Sequence, residues 1–566
     1  MTKSRCFRRL LLAGLCASAL VVGACSRADK SAVEEITVAA DSLDLSGADL
    51  RALERHFVVE PRDGPEADVL AALDALGLGE VTDGRIIDGT TVTYTDWRAE
   101  QDGTVAEADR VVLRGVHMSD DGATFDIMAV EDLDVGDAED AMDLEVDALF
   151  IVEPSPGLAQ QLVDVVRGVD TAGVDEAAEI AASSQFRALR VEGVSVEVEE
   201  DDIEVDMALN QFIAGYDRPG EELDIVLESL SFAMEPNDAM LAEALEQDPD
   251  MDPAARAALS APTRLDMDGM TLLGMRLTED ALSGSPEALM ALFQPSAEPP
   301  FRQLDVGAMS LDSAMVAMDT DGMEVDTQSR GDVLTTRSVF LPSRIDIKDT
   351  PMLPEAVATT LRDNGLMEIT FRGSSTSAYD AGADRMSVSE AQFEFDDSLR
   401  TNCDYALSGL KAAQDALDAS GVSLPDSAWE TEEELDAFLS DMNTFQQAQA
   451  EANANIKLEG LDCTIQDVAD NSFVTRAYAV ASELTGMPVP VLKGQAKTVI
   501  AMSSLTAQNE FQRDLMDTLG SGLIDFLDTP GQTLRIVSEP AEPVSVMSLA
   551  GENASIAPLG LQVTVE

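Results

Sequence analysis

The sequence predicts an α+β fold: repeated long, bulged antiparallel strands in one twisted sheet, short interspersed helices, and a helical hairpin inserted near the C-terminus. Three observations predict it. A short pattern (apolar, any, apolar, any, Gly, apolar, any, apolar) recurs from Val111, Leu189, Leu265 and Ile456, with variants at Ile225 and Leu304. Proline-led amphipathic segments separate some of the copies, and from Leu399 onward a helical periodicity replaces the strand pattern.

Within each copy, apolar residues alternate with polar ones, the mark of a strand with one buried face. Val111 and Leu113 precede Gly115, and Val116 and Met118 come after it. Leu189 and Val191 precede Gly193, with Val194, Val196 and Val198 beyond. Leu265 and Met267 precede Gly269, with Met270 and Leu272 beyond. Ile456 and Leu458 precede Gly460, with Leu461, Cys463 and Ile465 beyond. In the variants Ser229 and Ala308 stand in the glycine's place, between Leu227 and Leu230 and between Val306 and Met309. At each interruption the apolar phase slips by one residue. Such a slip throws every later side chain to the other face unless a bulge absorbs it, and glycine makes a bulge easy. Each copy is therefore expected to be a kinked strand that keeps one apolar face.

Helices are expected over Leu158–Val166 after Pro154 and Pro156, over Ala239–Leu245 after Pro236, and over Leu289–Phe293 after Pro286. A proline at or before a helix start removes an N–H that has no partner there anyway. Phe186-Arg187-Ala188-Leu189 and Phe301-Arg302-Gln303-Leu304 open two units alike, which points to duplication. Leu399–Ala419 and Trp429–Ala452 read as the two arms of a helical hairpin with a turn at Gly421 and Pro425. Ser503–Leu527 reads as a further helix with Phe511, Leu515, Leu519 and Leu523 at a spacing of four. Thr533–Val537 reads as a strand, and Pro540 and Pro543 confine the next segment to an edge or loop. The expected organisation is a leader over 1–24, a tether over 25–45, a repetitive β-rich region over 46–396, the hairpin over 397–455 and a strand–helix–strand region over 456–566.

The leader has a basic start (Lys3, Arg5, Arg8, Arg9), an apolar run from Leu10 to Val22, and small residues before Cys25. A bilayer span needs about 20 apolar residues, so the run is too short for a permanent anchor. Val22-Gly23-Ala24-Cys25 resembles the bacterial lipobox. That resemblance implies cleavage before Cys25, acylation of Cys25, and a membrane anchor on the periplasmic side. Ser26, rather than aspartate, comes after the cysteine, which resembles the enteric pattern for the outer membrane.

The chain carries 107 acidic and 36 basic residues, a formal net charge of −71. This excludes generic nucleic-acid binding, which depends on Lys and Arg neutralising phosphates. It also disfavours docking on anionic headgroups through a basic patch. Hydrophobic content of 45% is that of a globular protein, and 4% aromatic content leaves the core to aliphatic residues and 24 Met. Of five cysteines, Cys6 and Cys16 fall in the leader and Cys25 takes the lipid. Cys403 and Cys463 remain as an even pair in an oxidising compartment and are expected to form a disulfide that pins the base of the hairpin.

Chemistry-bearing constellations are absent from the sequence. His56 and His117 are the only histidines and fall in different expected elements, so a His-dependent triad or a histidine-rich zinc site is not expected. His117 is expected to face water between inward-facing Val116 and Met118. Asp132, Asp134 and Asp137 cluster near Asp140, and Asp248, Asp250 and Asp252 alternate, oxygen ligands of the kind that calcium takes. Asp137 and Pro253 stand where a calcium loop of the EF-hand type needs glycine, so both read as solvated loops. No catalytic residue, metal or cofactor is expected, and the chain is read as a non-enzyme.

The repeated strands at Val111–Met118, Leu189–Val198, Ile225–Phe232, Leu265–Leu272 and Leu304–Leu311 resemble those of AsmA-like and YdgA-like bacterial envelope proteins. The resemblance implies a β-rich repetitive protein connected with envelope lipid homeostasis. Two functions are expected: a membrane-anchored scaffold that holds envelope proteins through its acidic surface or the hairpin, with, as the alternative, a carrier that binds acyl chains in an apolar groove of the sheet.

Overall fold

The computed structural model describes residues 57–566 except 58, 61, 102–103, 138–141, 168–185, 200–202, 219–221, 237–255, 257–259, 277–298, 349–352, 423–431, 507–509 and 546–554. The leader, Cys25, His56, the expected helices at 239–245 and 289–293, Asp140 and the 248–252 acidic run therefore lie outside the described residues.

The chain opens with helix α1 (Glu66–Ala75), then β1 (Ile86–Asp88), β2 (Thr91–Gln101), β3 (Thr104–Arg114), β4 (His117–Ser119), β5 (Gly122–Thr124), β6 (Ile127–Asp137) and β7 (Met142–Val152). After α2 (Pro156–Val166) come β8 (Ala188–Glu199), β9 (Ile203–Arg218), β10 (Glu222–Leu227), β11 (Leu230–Pro236), β12 (Thr263–Met267), β13 (Met270–Met275), β14 (Gln303–Val306) and β15 (Met309–Asp312). β16 (Val316–Thr320), β17 (Met323–Arg330) and β18 (Val333–Ile347) precede α3 (Glu355–Asp363). β19 (Glu368–Asp380), β20 (Arg385–Phe395) and β21 (Leu399–Ser408) then lead into α4 (Leu410–Ser420) and α5 (Glu432–Asn453). The C-terminal part holds β22 (Lys457–Asp467), α6 (Phe473–Thr485), α7 (Val489–Thr506), α8 (Glu510–Asp528), β23 (Thr533–Ser538), β24 (Val544–Ser545) and β25 (Leu561–Val565).

All strands but β4 and β5 join one sheet of 23, and every ladder is antiparallel. The order in space runs with the chain as a meander from β1 to β25. β10 with β11, β12 with β13, β14 with β15, and β16 with β17 are each the two halves of one long strand, because each half pairs with the matching half of its neighbour.

The interruption between halves is not confined to the sequence repeats. The ladders skip one pair at Asp96–Asp109, Asp109–Asp132, Asp132–Asp147, Asp147–Gly193 and Gly193–Asn210, and keep the same register on both sides. A crease thus runs across the sheet, perpendicular to the strands. Alternate strands carry a left-handed residue at it: Asp96 (φ 53°), Asp132 (φ 51°), Gly193 (φ 60°) and Ser229 (φ 66°). Because neighbours slip together, no strand gains an unmatched residue. Beyond Ser229 the backbone stays paired across the crease, with Asp268 N donating to Ala308 O and Gly307 N to Gly269 O, both at 2.8 Å. From β18 on, the slips become ordinary bulges with register shifts in one partner.

The slip moves the apolar residues from a spacing of two to a spacing of three at the crease: Tyr94 and Trp97, Ala108 and Val111, Val130 and Leu133, Leu209 and Phe212, Leu227 and Leu230. All belong to or pack on one core. One sheet face therefore stays apolar through the kink, as the sequence predicts for the copies from Leu189 and Leu265 and for both variants. The copy from Val111 differs. Gly115 (φ 67°) ends β3 because its α-carbon lies against the buried Asp126 carboxylate, and Val116 leaves the sheet into the small β4–β5 ribbon.

Leu399–Ser408 is strand, not helix. Its Leu399, Thr401, Cys403, Tyr405 and Leu407 alternate, and ladders to β20 and β22 satisfy its backbone on both sides. Gly409 (φ 81°) then turns the chain into α4, so the hairpin arms are α4 and α5, inserted between β21 and β22. The expected Ser503–Leu527 helix divides: its start belongs to α7 and the rest to α8.

Candidate functional site

The apolar face is sealed at its two ends. At the first, α1 presents Val69, Ala72, Leu73 and Leu76 at helical spacing, and α2 presents Ala159, Val163 and Val166; all seven are buried. Trp97 packs edge-on against Tyr94 at 5.1 Å and donates its Nε1–H to Val166 O at 2.8 Å, which closes α2 over the crease. The residual cavity beneath α2 is ≈ 10 Å³ and apolar, no more than the room of one water. At the other end α6 and α8 cover the sheet through Val474, Phe526 and Leu527 against Leu399, Ile465, Leu534, Ile536 and Val563.

Between those ends the face is half-covered. Leu265, Leu311, Met318, Ile345 and Ile369 succeed one another across β12, β15, β16, β18 and β19 in direct register, and each is only half-buried. On the other side of the crease Leu304, Val325, Ser338 and Ser375 continue the row. On that side the face thus changes from aliphatic to serine at β18 and β19. Phe186 and Phe301, from the two similar tetrapeptides, both pack on the first core, and Arg187 N and Arg302 N close matching backbone bonds to Val152 O and Leu273 O. Their shared placement fits duplication.

The opposite face is polar and strongly acidic. Glu107, Asp134 and Glu145 stand in direct cross-strand register, as do Asp143, Glu197 and Asp206. Burial raises the Asp134 carboxyl above its usual range, and the neighbouring Asp143 and Glu107 raise it further. Burial, with Asp305 and Asp326 beside it, likewise raises Glu324. Further along, Glu394 is 5% exposed and lies between two guanidinium groups: Arg372 Nε at 2.9 Å and Arg400 Nε at 2.9 Å. Asp467 is fully buried and accepts from Ser472 Oγ (2.6 Å), Gly531 N (2.8 Å) and Val474 N (3.2 Å), which ties the end of β22 to the starts of α6 and β23.

The cysteines meet. Cys403 in β21 and Cys463 in β22 are direct cross-strand partners with Cα atoms 4.1 Å apart and sulfurs at disulfide distance. The bridge lies within the ladder and not at the base of the hairpin, which is formed by Ser408 opposite Lys457. The base is fixed instead by Asp384, which accepts from Lys411 N (2.8 Å) and Ala412 N (3.0 Å) at the start of α4 and from the Tyr379 hydroxyl (3.1 Å). Burial and the Asp384 contact push the Tyr379 hydroxyl up to about 12.

His117 is half-buried, not turned to water. Its Nδ1 lies 2.7 Å from Gly115 O and its Nε2 2.9 Å from Arg62 Nη1, while Met118 points outward at 48% exposure. The β4–β5 ribbon leaves the sheet plane, so the alternation that places Met118 inside does not apply. Among the described residues no group of three or more His, Cys, Asp or Glu is placed to hold a metal ion, and Asp132, Asp134 and Asp137 are spread along β6. No described helix is long and apolar enough to cross a membrane.

A family described as an uncharacterized protein matches residues 392–566, from the end of β20 through β25. No curated protein matches the chain.

Proposed function

We propose that this chain is a non-enzymatic, lipid-anchored envelope protein that binds acyl chains along the middle of its apolar sheet face. The supporting observation is the unbroken row Leu265–Leu311–Met318–Ile345–Ile369, half-buried between two ends that helices seal. Apolar side chains in such a row bind hydrocarbon because each methylene removed from water contributes about 0.8 kcal/mol. The Cys25 anchor faces the periplasm from the outer membrane and holds the face near its lipid supply. The resemblance of the repeated strands to AsmA-like and YdgA-like proteins agrees with this role. Native mass spectrometry of the mature chain carrying Cys25→Ser tests it. Phospholipid or fatty acid that co-purifies and is lost on denaturation supports the reading, and a bare protein mass after lipid challenge removes it.

The α4–α5 hairpin supports a second reading, a scaffold for envelope proteins. It is inserted between β21 and β22, is held at its base by Asp384, and exposes Leu439 at 49%. Crosslinking in the envelope from cysteines placed on α5 tests that reading, and a hairpin deletion that leaves every crosslinked partner in place would remove it.

A further inference from the structure

In a chain with 107 acidic residues, the stretch from Leu484 to Asn509 contains none. It carries only Lys493 and Lys497 as charges, and it forms α7. α7 packs on α6 and α8 and makes the outermost layer over the last strands of the sheet. Its inward side is apolar (Leu492, Ile500), but so is its outward side. Val491 is 47%, Val499 68% and Met502 52% exposed, with Gln495 and Thr498 exposed between them. Large aliphatic side chains are normally buried, yet these three stand at the surface.

Both lysines are turned from the stripe toward the C-terminal end of α8. Lys493 Nζ donates to Asp528 O at 2.7 Å, and Lys497 pairs with the Asp528 carboxylate. The outward stripe of Val491, Gln495, Thr498, Val499 and Met502 therefore bears no charge. Elsewhere the acidic surface is repelled by anything anionic and costs desolvation against anything apolar. The stripe meets neither obstacle.

We infer that α7 docks on the surface of a zwitterionic phospholipid bilayer, with Val491, Val499 and Met502 inserted at the headgroup–acyl boundary. Large aliphatic side chains among small uncharged ones suit that boundary, and the lack of carboxylates removes the penalty of bringing acids to it. The inference goes beyond the acyl-chain reading and does not rest on it, since α7 lies on the outer side of the layer that covers the sheet.

The test is flotation of the mature chain carrying Cys25→Ser, which takes no acyl anchor, with phosphatidylcholine vesicles. The unsubstituted α7 is expected to co-float. Val499→Asp with Met502→Asp is expected to lower partitioning about a hundredfold, roughly tenfold for each buried side chain lost. Val499→Trp preserves an apolar residue at the same exposed position; its emission is expected to shift to the blue when vesicles are added. Failure of the Cys25→Ser chain to float, an unmoved Val499→Trp emission, or equal flotation of the acidic variant would each overturn the proposal. A dimer in sedimentation that the acidic variant abolishes, without vesicle binding, would assign the stripe to a second copy of the chain instead. Lipid retained in native mass spectra without flotation would overturn only α7 docking, and flotation without retained lipid would overturn only the acyl-chain reading.

Discussion

Gly193 gives the sharpest test of the crease. It sits at φ 60° in β8, where a Cβ would meet Asp147 Oδ2 at 1.9 Å and Cγ at 2.2 Å. Gly193→Ala should therefore carry two separable costs. The left-handed backbone costs an alanine about 1–2 kcal/mol. Displacing the Asp147 side chain adds about 1–3 kcal/mol if it is forced from its rotamer. Asp147→Ala removes Oδ2 and Cγ but leaves its Cβ 2.7 Å from the new methyl, so the double variant should recover less than half of the loss, with a coupling of about 0.5–1 kcal/mol in a double-mutant cycle. Hydrogen exchange of the β7, β8 and β9 amides beside the crease is the suitable assay, because a chain of this size need not unfold in two states. Asp132→Gly, at φ 51° in β6, should move the same amides in the protective direction by up to about 1 kcal/mol. An unchanged exchange rate in Gly193→Ala, or strict additivity with Asp147→Ala, would refute this packing of the crease.

The polar face yields two further expected outcomes. Glu394→Ala leaves the nearly buried Arg372 with only the Asp397 carboxylate at 3.6 Å and should cost about 2–3 kcal/mol, read as lost protection in β19–β21; Arg372→Met with Glu394→Leu should restore most of it. Asp134 has its folded-state carboxyl raised, so it opposes folding once ionised and ceases to do so as pH falls through the raised value. Asp134→Asn should accordingly raise the melting temperature at neutral pH, with the gain vanishing as the pH enters the carboxylate range; a constant gain at all pH would contradict the cross-strand repulsion.

The apolar face is legible in the sequence where glycine or a small residue marks the slip, at Gly193, Gly269, Ser229 and Ala308. It is not legible at Asp96, Asp109, Asp132 and Asp147: Asp96 and Asp132 take the left-handed region that aspartate tolerates, and in so acidic a chain one more aspartate carries no signal. β21 reads as helix in the sequence because Leu399, Cys403, Leu407 and Leu410 also fall at spacings of three and four. Two neighbouring strands decide the matter, and those are set by tertiary structure. The partnership of Cys403 with Cys463 is reached by elimination, but its place within the ladder depends on that same strand. α7 gives no helical signal because apolar residues on every side leave no period to detect. Its functional cue, the missing acids, needs no structure, although the exposure of Val499 and Met502 does.

The most direct test of the acyl-chain reading is photolabelling of the mature Cys25→Ser chain with a fatty acid that carries a photoreactive group near its methyl end, and then peptide mapping. Labels are expected on Leu311, Met318, Ile345 and Ile369 of the half-covered row, with their loss on Met318→Glu. Labels confined to the helices of the two sealed ends, or none above a non-photolysed control, would contradict it.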